Sequence, residues 1–384
     1  MNQIISAASA LTPNGQLAPY WVRADRGWVA EAGYGAPPEA ADLHLEHGTL
    51  APGFVDVHVH GGGGASFTEG AAQAGAALEA HRRYGSTTML ASLVSAPLEM
   101  LLSQTEELRS LVAEGELAAV HWEGPWLSAS HRGAHEETVL SVPSTEEIAA
   151  LLEHPAAELV RYITLAPELP GGLEAVSRLR AAGVTVGVGH TGASCDTTRQ
   201  ALDAGATAAT HLFNAMKGLH HREPGAALPL LESPEAFLEL ICDGVHIHPG
   251  MIRYAWRAAE FSGGPHRMVL VSDAMAAAAA RDGDYTLGSL AVRVDEGVAR
   301  LATADGSPGA IAGSTLTMAE AVRYSILQAG ISPEQALAAA TSNPARMVGL
   351  DDVGELSPGM RADLVVLDEH WDVQRVMRRG EWLG

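Results

Sequence analysis

The sequence predicts an α/β protein made of a (β/α)8 barrel and a small β-sandwich domain that both chain ends build. First, short apolar runs alternate with Ala-, Leu-, Glu- and Arg-rich segments of helical length, as in repeated βα units. Second, polar side chains stand at the carboxyl ends of six of these runs. A doubly wound open sheet would show the same alternation. The polar strand ends favour the barrel, because its active sites gather at that face.

The small domain is predicted from residues 1–50 and 352–384. The first segment contains short apolar stretches around Trp21 and Trp28 that turn residues interrupt. The last segment contains ADLVVLD and a second short run around Val373 to Met377. We expect these strands to pair in one domain, which leaves residues 51–351 for the barrel.

The barrel region contains eight candidate strands, with helix candidates such as Gly70 to Tyr84 and Leu173 to Ala182 between them. The strands are Phe54–Val59, Thr87–Val94, Ala118–Trp122, Tyr162–Ala166, Val184–Gly189, Ala206–Thr210, Phe237–Asp243 and Met268–Ser272. Eight such units close a barrel. After the eighth strand, the insertion from Asp282 to Ile311 has two β-like runs that flank Asp295-Glu296-Gly297, which predicts a hairpin.

The charge and the cysteines limit the possible partners and compartment. The formal net charge is -22 and the pI is near 5.1, so the field of the protein repels DNA, RNA and anionic membranes. Cys195 and Cys242 cannot form a disulfide framework. The N-terminus lacks the pattern of a signal peptide, and the most uniformly small apolar run, Ala274 to Ala280, is far shorter than the roughly 20 residues of a membrane span. We therefore expect a soluble cytoplasmic protein.

His58 and His60 lie two residues apart on the first strand, so their side chains point to the same side and can bind one cation. An isolated pair of this kind could equally be two hydrogen-bonded histidines of the barrel interior. Here the pair precedes a glycine run, Gly61 to Gly64, that lets a ligand approach the backbone closely. This setting favours metal binding.

Three further strand ends predict a second set of ligands. His190 and His211 end two successive strands and Glu123 ends an earlier one. Their nitrogen and oxygen atoms suit zinc, iron, cobalt or manganese. A single histidine at such a position is more often structural, but core packing explains three strand-end ligands poorly. Glu123 could bridge this cation to the one held by the first histidine pair.

Asp273 follows the last strand in the segment Ser272-Asp273-Ala274. A carboxylate at this place can exchange a proton with a water that a metal activates and with a departing amine. The alternative is a helix N-cap, for which aspartate is well suited. The ligands predicted on the same face favour the catalytic role.

The motifs together closely resemble the N-acetylglucosamine-6-phosphate deacetylases of the amidohydrolase superfamily. PGFVDVHVH alone would indicate only the superfamily, whereas HWEGPW, THLFNAM and REPG together are far more specific. In chain order the motifs are PGFVDVHVHGGGG (52–64), HWEGPW (121–126), HRGAH (131–135), GHT (189–191), THLFNAM (210–216), REPG (222–225), DGVH (243–246), SDA (272–274) and GSTLTM (313–318). ADLVVLD resembles the closing β segment of that family.

The resemblance implies a metal-dependent amide hydrolase acting on N-acetylglucosamine-6-phosphate, and it assigns roles to particular residues of these motifs. The principal metal is implied to bind Glu123, His190 and His211, with Asp273 as general acid/base; His135 and His246 contact sugar or carbonyl oxygens; Asn214, Ala215 and Arg222 contact the phosphate. The planar guanidinium of an arginine can pair with two phosphate oxygens.

The resemblance also implies a homodimer, because Arg222 in similar enzymes reaches the neighbouring subunit's site. Some relatives carry Gln and Asn in place of the first histidine pair and hold one metal; this chain keeps His58 and His60, so two divalent ions are expected, zinc first. Many two-metal relatives use a carboxylated lysine as the bridge. The only lysine, Lys217, lies in a loop-like segment beyond the sixth strand, which leaves Glu123 as the natural bridging ligand.

Two other functions fit parts of this pattern. A different amidohydrolase could use the same metals on a cyclic amide or an N-acyl amino acid, but such a substrate would not need Arg222. A non-catalytic sugar-phosphate sensor could keep the barrel, but it would be expected to lose a ligand or the acid/base. The alanine-rich stretch and the insertion that follow Asp273 depart from the polar loop expected of the family, which leaves substrate contacts from that region open.

Overall fold

The computed structural model describes residues 2–384 and confirms the barrel. Eight parallel strands pair in chain order, and each forms hydrogen bonds with the next. They are Phe54–Val59, Ser86–Val94, Ala119–Glu123, Val160–Leu165, Thr185–Val188, Ala208–Ala209, Phe237–Leu240 and Met268–Leu270. A bridge between Val59 and Ala274 joins the two ends of this sheet.

The first strand shows why the sequence folds in this way. Val55, Val57 and Val59 alternate with polar residues, and every residue of the strand is buried. Because side chains alternate between the two faces of a strand, the valines share the face opposite to that of His58. The alternation therefore directs one row of side chains to the surrounding helices and the other to the barrel interior.

Helices surround the barrel, and the two helices predicted by name lie within two residues of their expected bounds. The helices are Gly70–Arg82, Leu98–Glu107, Arg109–Ala113, Thr145–Glu153, Gly172–Ala181, Cys195–Asp203, Ala227–Glu232, Pro249–Ser262, Met318–Leu327, Pro333–Ala339 and Ser342–Met347. None of the helices within residues 2–384 is long and apolar enough to cross a membrane.

After Asp273 the next helix begins at Met318, and its N-cap is Thr317, which forms a capping box with Glu320. Asp273 is therefore not a helix cap.

The two chain ends pair as predicted. Eight strands form one hydrogen-bonded sheet: Asn2–Leu11, Leu17–Asp25, Trp28–Tyr34, Leu43–Leu45, Thr49–Pro52, Leu364–Leu367, Val373–Arg378 and Glu381–Trp382. The junction lies where Leu364–Leu367 runs antiparallel to Thr49–Pro52. The sheet has its own apolar cluster, which includes Ile5, Val22 and Met377. Arg378 connects it to the barrel through a 2.7 Å bond from Nη2 to the carbonyl oxygen of Gly115.

The insertion after the eighth strand is a three-stranded antiparallel sheet, so the prediction of a simple hairpin is incomplete. Its strands are Gly283–Leu287, Leu290–Asp295 and Val298–Leu301. The expected turn is present, with Glu296 and Gly297 both in the left-handed region, as a two-residue hairpin turn requires. A second turn at Gly288, which has a φ of 55°, divides what reads in the sequence as one β-like run.

Candidate active site

The five predicted metal ligands and the predicted acid/base converge at one end of the barrel. All six are buried, with exposed fractions from 0% to 8%. They are His58, His60, Glu123, His190, His211 and Asp273. Five of them line a cavity of about 250 Å³, and His58 lies directly behind His60 and Asp273. The convergence that favours a barrel over an open sheet in the sequence is thus present in the structure.

His58, His60 and Asp273 form the first candidate metal group. The Nε2 atoms of the two histidines are 3.2 Å apart. Oδ1 of Asp273 lies 3.4 Å from Nε2 of His58 and 3.2 Å from Nε2 of His60. Burial alone would raise the pKa of Asp273, but the charge of His58 and the hydrogen bond to His60 outweigh it and lower the pKa to about 2. Asp273 is therefore a carboxylate at neutral pH, as both a metal ligand and a general base must be.

Glu123, His190 and His211 form the second candidate metal group. Oε1 of Glu123 lies 2.9 Å from Nε2 of His190 and 3.0 Å from Nε2 of His211. The two histidine Nε2 atoms are themselves 3.0 Å apart. The distances among these three ligand atoms are short enough for a single cation to reach all of them.

Glu123 lies between the two groups. Its Oε1 faces the second group, while its Oε2 lies 3.2 Å from Nε2 of His60 and 3.2 Å from Nε2 of His135. Burial would raise the pKa of Glu123, but the charges of His135 and His58 and the hydrogen bonds from the surrounding histidines hold the pKa well below its usual range. One ionised carboxylate can thus reach both groups, as a bridging ligand must.

The donor atoms fit divalent cations better than they fit one another. Four imidazole Nε2 atoms are directed inward, and each has another Nε2 atom within 3.2 Å. Without a cation, each inward Nε2 needs its own proton to face Glu123 or Asp273, which sets the N–H donors of neighbouring rings against each other at 3.0–3.2 Å. Two cations, one in each group, would accept the lone pairs of all four, and Glu123 and Asp273 would balance part of their charge.

Sequence comparison decides the family. The profile of the amidohydrolase family matches residues 49–383. The chain belongs to the amidohydrolase family. An N-acetylgalactosamine-6-phosphate deacetylase of Escherichia coli O157:H7 is 34% identical over 99% of both chains. The N-acetylglucosamine-6-phosphate deacetylase of Bos taurus is 36% identical over 94% of this chain and 90% of the relative.

Solved structures agree with the sequence relatives and confirm the resemblance seen in the motifs. An aspartate-to-alanine mutant of the N-acetyl-D-glucosamine-6-phosphate deacetylase from Mycobacterium smegmatis, in complex with N-acetyl-D-glucosamine-6-phosphate, superimposes with a TM-score of 0.93. The two sequences are 43% identical, and the match covers 99% of each chain. The corresponding Thermotoga maritima structure superimposes with a TM-score of 0.87 at 32% identity, over 99% of each chain.

In this amidohydrolase, three of the ligand residues have backbone conformations that side-chain-bearing residues seldom adopt. The φ angles of His190, His211 and Asp273 are 47°, 30° and 48°. Each residue stands where the chain leaves a barrel strand, and the left-handed turn directs its side chain over the barrel mouth. Such strain persists only where surrounding contacts impose it, and it gathers at functional sites. The backbone thus supports the assignment of these three positions to the site.

Contacts to the outer ring nitrogens orient three of the four histidines. Nδ1 of His60 lies 3.0 Å from the carbonyl oxygen of Ser92, and Nδ1 of His190 lies 2.9 Å from the carbonyl oxygen of His131. Nδ1 of His58 lies 3.3 Å from Oε2 of Glu239. Backbone or carboxylate acceptors at Nδ1 leave the Nε2 lone pair free for a metal.

Sequence reasoning missed Glu239. It lies in the strand Phe237–Leu240, whose other residues are apolar, and it is completely buried. A glutamate is almost never fully buried without a partner. The signal that could have found it is therefore a charged residue inside an apolar barrel strand.

The substrate-side residues expected from the resemblance, apart from Arg222, line the same cavity. His135, Asn214, Ala215 and His246 all contribute to its walls. Nδ1 of His246 lies 2.6 Å from Oδ2 of Asp243. The Oδ1 atom of the same carboxylate accepts the backbone N–H groups of residues 245 and 246, so Asp243 fixes both the loop and the ring.

The insertion completes the cavity on its apolar side. Leu287, Ala310, Ile311 and Gly313 line the wall next to Asp273. The glycine run at residues 61–64 has a different role from the one expected: Gly63 and Gly64 donate hydrogen bonds to the carbonyl oxygens of Ala278 and Ala276, respectively. These bonds hold the loop after the eighth strand against the first strand, because glycine permits the close approach.

Arg222 lies apart from the other predicted residues. It stands on a loop, residues 217–223, in which every residue is exposed. Its Nη1 lies 2.9 Å from Nε2 of His221, and it does not belong to the described lining of the cavity. Lys217 forms a 2.5 Å ion pair with Glu223 on the same loop, away from the ligand groups. Within one chain, the structure therefore brings together ten of the eleven predicted site residues.

Proposed function

We propose that this amidohydrolase hydrolyses the acetamide of N-acetylglucosamine-6-phosphate to glucosamine-6-phosphate and acetate. The observation that carries the proposal is Glu123, which reaches both candidate metal groups at the wall of a cavity that also holds Asp273. The relatives support the choice of substrate. Their names specify deacetylation of amino-sugar 6-phosphates, and each relative matches 94% or more of this chain.

We propose that His58, His60 and Asp273 hold one divalent ion, that His190 and His211 hold a second, and that Glu123 bridges the two. Zinc is the first candidate, with iron, cobalt or manganese as alternatives, since all accept imidazole and carboxylate ligands. When bound, such ions supply Lewis-acid polarisation of the amide carbonyl and lower the pKa of water toward about 7.

Asp273 is the proposed general base and acid. Its carboxylate takes the proton from the attacking water as the new C–O bond forms at the acetamide carbonyl carbon. It then returns a proton to the nitrogen as the C–N bond breaks, so that acetate and the free amine leave. His135 and His246 are placed in the cavity wall to contact the carbonyl and sugar oxygens, and Asp243 holds the His246 ring for that contact.

The phosphate is proposed to bind at Asn214, Ala215 and Arg222. The first two residues line the cavity of the same chain, whereas Arg222 stands on an exposed loop. We propose that the chain acts as a homodimer in which Arg222 enters the neighbouring subunit's cavity. We also propose a cytoplasmic location, which the two unpaired cysteines, Cys195 and Cys242, support.

N-acetylgalactosamine-6-phosphate is a second candidate substrate. The E. coli O157:H7 relative that is named for this sugar matches 99% of both chains at 34% identity. The two sugars differ only in the orientation of the hydroxyl group at C4, so the acetamide chemistry and the phosphate contacts would be the same. Only contacts to the C4 hydroxyl group can separate the two substrates.

The test is acetate release by purified protein from both 6-phosphates, with unphosphorylated N-acetylglucosamine as the control and the metal content measured in the same sample. Rapid release restricted to the phosphorylated sugars, with metal near two per chain, is the expected result. A higher kcat/KM for the galactosamine derivative would favour the second candidate. Absence of release at full metal occupancy would direct the search to other amides.

A further inference from the structure

Glu239 occupies an unusual position beneath the candidate metal groups. Glu239 follows Leu238 and precedes Leu240 in a barrel strand, and its side chain has no exposed surface. Neither neighbour can pair with the carboxylate, because both are leucines and their side chains point to the opposite face of the strand. An ionised carboxylate in such a place is costly unless strong hydrogen-bond donors face it. The contacts of Glu239 therefore indicate why the residue is there.

One oxygen atom of Glu239 contacts both candidate metal groups. Oε2 lies 3.3 Å from Nδ1 of His58, which belongs to the first group. The same atom accepts a 3.1 Å hydrogen bond from the backbone N–H group of His211, which belongs to the second group. Glu123 joins the groups from the cavity side, and Glu239 joins them from the barrel interior.

The two contacts constrain different degrees of freedom. A carboxylate at Nδ1 of His58 selects the tautomer whose Nε2 carries the lone pair, and it makes that nitrogen a stronger ligand. The contact to His211 acts on the backbone: φ at His211 is 30°, a left-handed conformation that a histidine seldom adopts without restraint. Nδ1 of His211 has no hydrogen-bond partner among residues 2–384, so the bond at its backbone N–H is the contact that links this histidine to Glu239.

We propose that Glu239 is a positioning residue shared by the two metal groups, setting the tautomer of His58 and the backbone turn of His211. This proposal rests on the ligand sets proposed above and is independent of the identity of the substrate. It implies that the loss of one carboxylate that touches no metal weakens metal binding at both groups. A residue that only fills the barrel interior would alter stability and leave metal affinity unchanged.

The test measures zinc affinity directly. Full-length protein is stripped with a chelator and then titrated with zinc in competition with a chromophoric chelator. Glu239→Gln keeps the shape of the side chain and removes its charge, so the variant is expected to fold and to bind zinc about 10- to 100-fold more weakly. Asp363→Asn is the matched control, because Asp363 is also a buried carboxylate but pairs with Arg361 at the small domain. The control is expected to keep wild-type zinc affinity even where it lowers Tm.

Acetate release supplies a second readout. Excess zinc should restore much of the kcat that Glu239→Gln loses at limiting zinc, which a purely structural defect would not allow. Glu239→Asp is the second variant, because the shortened side chain cannot keep both contacts; it serves if the first variant fails to fold. Wild-type zinc affinity in either folded variant overturns the proposal. Failure of the wild-type protein to bind zinc or another divalent ion would instead overturn the ligand sets themselves.

Discussion

The two ends of the proposed substrate cavity are built in opposite ways. At the metal end, six buried residues stand at the mouth of one barrel, and strand geometry places all of them. At the phosphate end, Arg222 stands on an exposed loop outside the cavity lining. A barrel can complete a metal centre within a single chain because parallel strands end at a common face. A charge carried by a loop need not belong to the site of its own chain.

The largest expected effect tests the metal end. Asp273→Asn keeps the size of the side chain but removes the proton acceptor, so kcat should fall by about 10³- to 10⁴-fold, the upper range for loss of a positioned acid/base. Steady-state acetate release measures this fall. The Glu123, His190 and His211 group should still bind metal, which elemental analysis can count.

Asp196→Asn is the matched control for this change, because Asp196 is an exposed aspartate in the first turn of the helix Cys195–Asp203. It should have wild-type kinetics. Near-normal turnover by purified Asp273→Asn would rule out the proposed role of Asp273 as acid and base.

The second prediction tests the phosphate end. Arg222→Ala should raise KM for the phosphorylated sugar by about 10- to 100-fold, since a charge-assisted bidentate contact is worth roughly twice a neutral hydrogen bond. The kinetics on unphosphorylated N-acetylglucosamine should change little. Arg132→Ala is a suitable control, because Arg132 is a partly exposed arginine that pairs with Glu137 on the surface.

Mixed dimers show whether Arg222 serves its own cavity or the neighbouring one. In a dimer of one Arg222→Ala subunit and one Asp273→Asn subunit, exchange of Arg222 between subunits leaves one cavity with both residues intact. Statistical mixing should then restore about a quarter of the wild-type activity. If Arg222 served its own cavity, no mixed dimer would contain an intact site, and the mixture would be no more active than the separate variants.

The third prediction concerns the link between the two ends. Asp243 holds His246 through the 2.6 Å contact between Oδ2 and Nδ1. Burial would raise the pKa of Asp243, but the hydrogen bond and charge of His246 outweigh it and lower the pKa. Asp243→Asn removes a charged hydrogen bond, which is worth about 1.5–3 kcal/mol, so kcat/KM should fall by about tenfold or more.

The effect of Asp243→Asn should be smaller than that of Asp273→Asn, because Asp243 acts only through another side chain. Asp284→Asn changes an exposed aspartate in the insertion and should leave kcat/KM unchanged. Equal losses in the Asp243 and Asp273 variants would mean that Asp243 takes part directly in the reaction.

The sequence predicts the residues of the metal end better than it predicts the residues that hold them in place, for a physical reason. His58, His60 and Asp273 can be assigned to one face because each lies at or just after the end of a recognisable strand and parallel strands end together. The contact between His58 and Glu239 joins residues 181 positions apart, and no local pattern specifies it. A lone glutamate in an apolar strand indicates that something must pair with it, but only the closed barrel shows what.

The insertion shows a different limit. Its central turn could be predicted, because Glu296-Gly297 is the kind of pair that a two-residue hairpin turn requires. The third strand of the insertion and the contact of the insertion with the cavity could not be predicted. The turn at Gly288 lies inside an apparently continuous β-like run, and docking of the sheet over the barrel mouth depends on tertiary packing around Leu287 and Met275.

The smallest expected effect tests that apolar wall. Ile311 lies in the cavity lining beside Gly313, and its removal would widen a cavity of only about 250 Å³. Ile311→Ala should lower kcat/KM for the acetyl substrate by about two- to fivefold, since the partly exposed side chain loses only part of the roughly 0.8 kcal/mol that each buried methylene contributes. The same change should raise the relative rate on an N-propionyl substrate, which carries one more carbon. Met100→Ala, on the exposed face of the helix Leu98–Glu107, should leave that ratio unchanged. An unaltered acetyl-to-propionyl ratio in Ile311→Ala would mean that the acyl group does not face the insertion, and that this wall contacts the sugar instead.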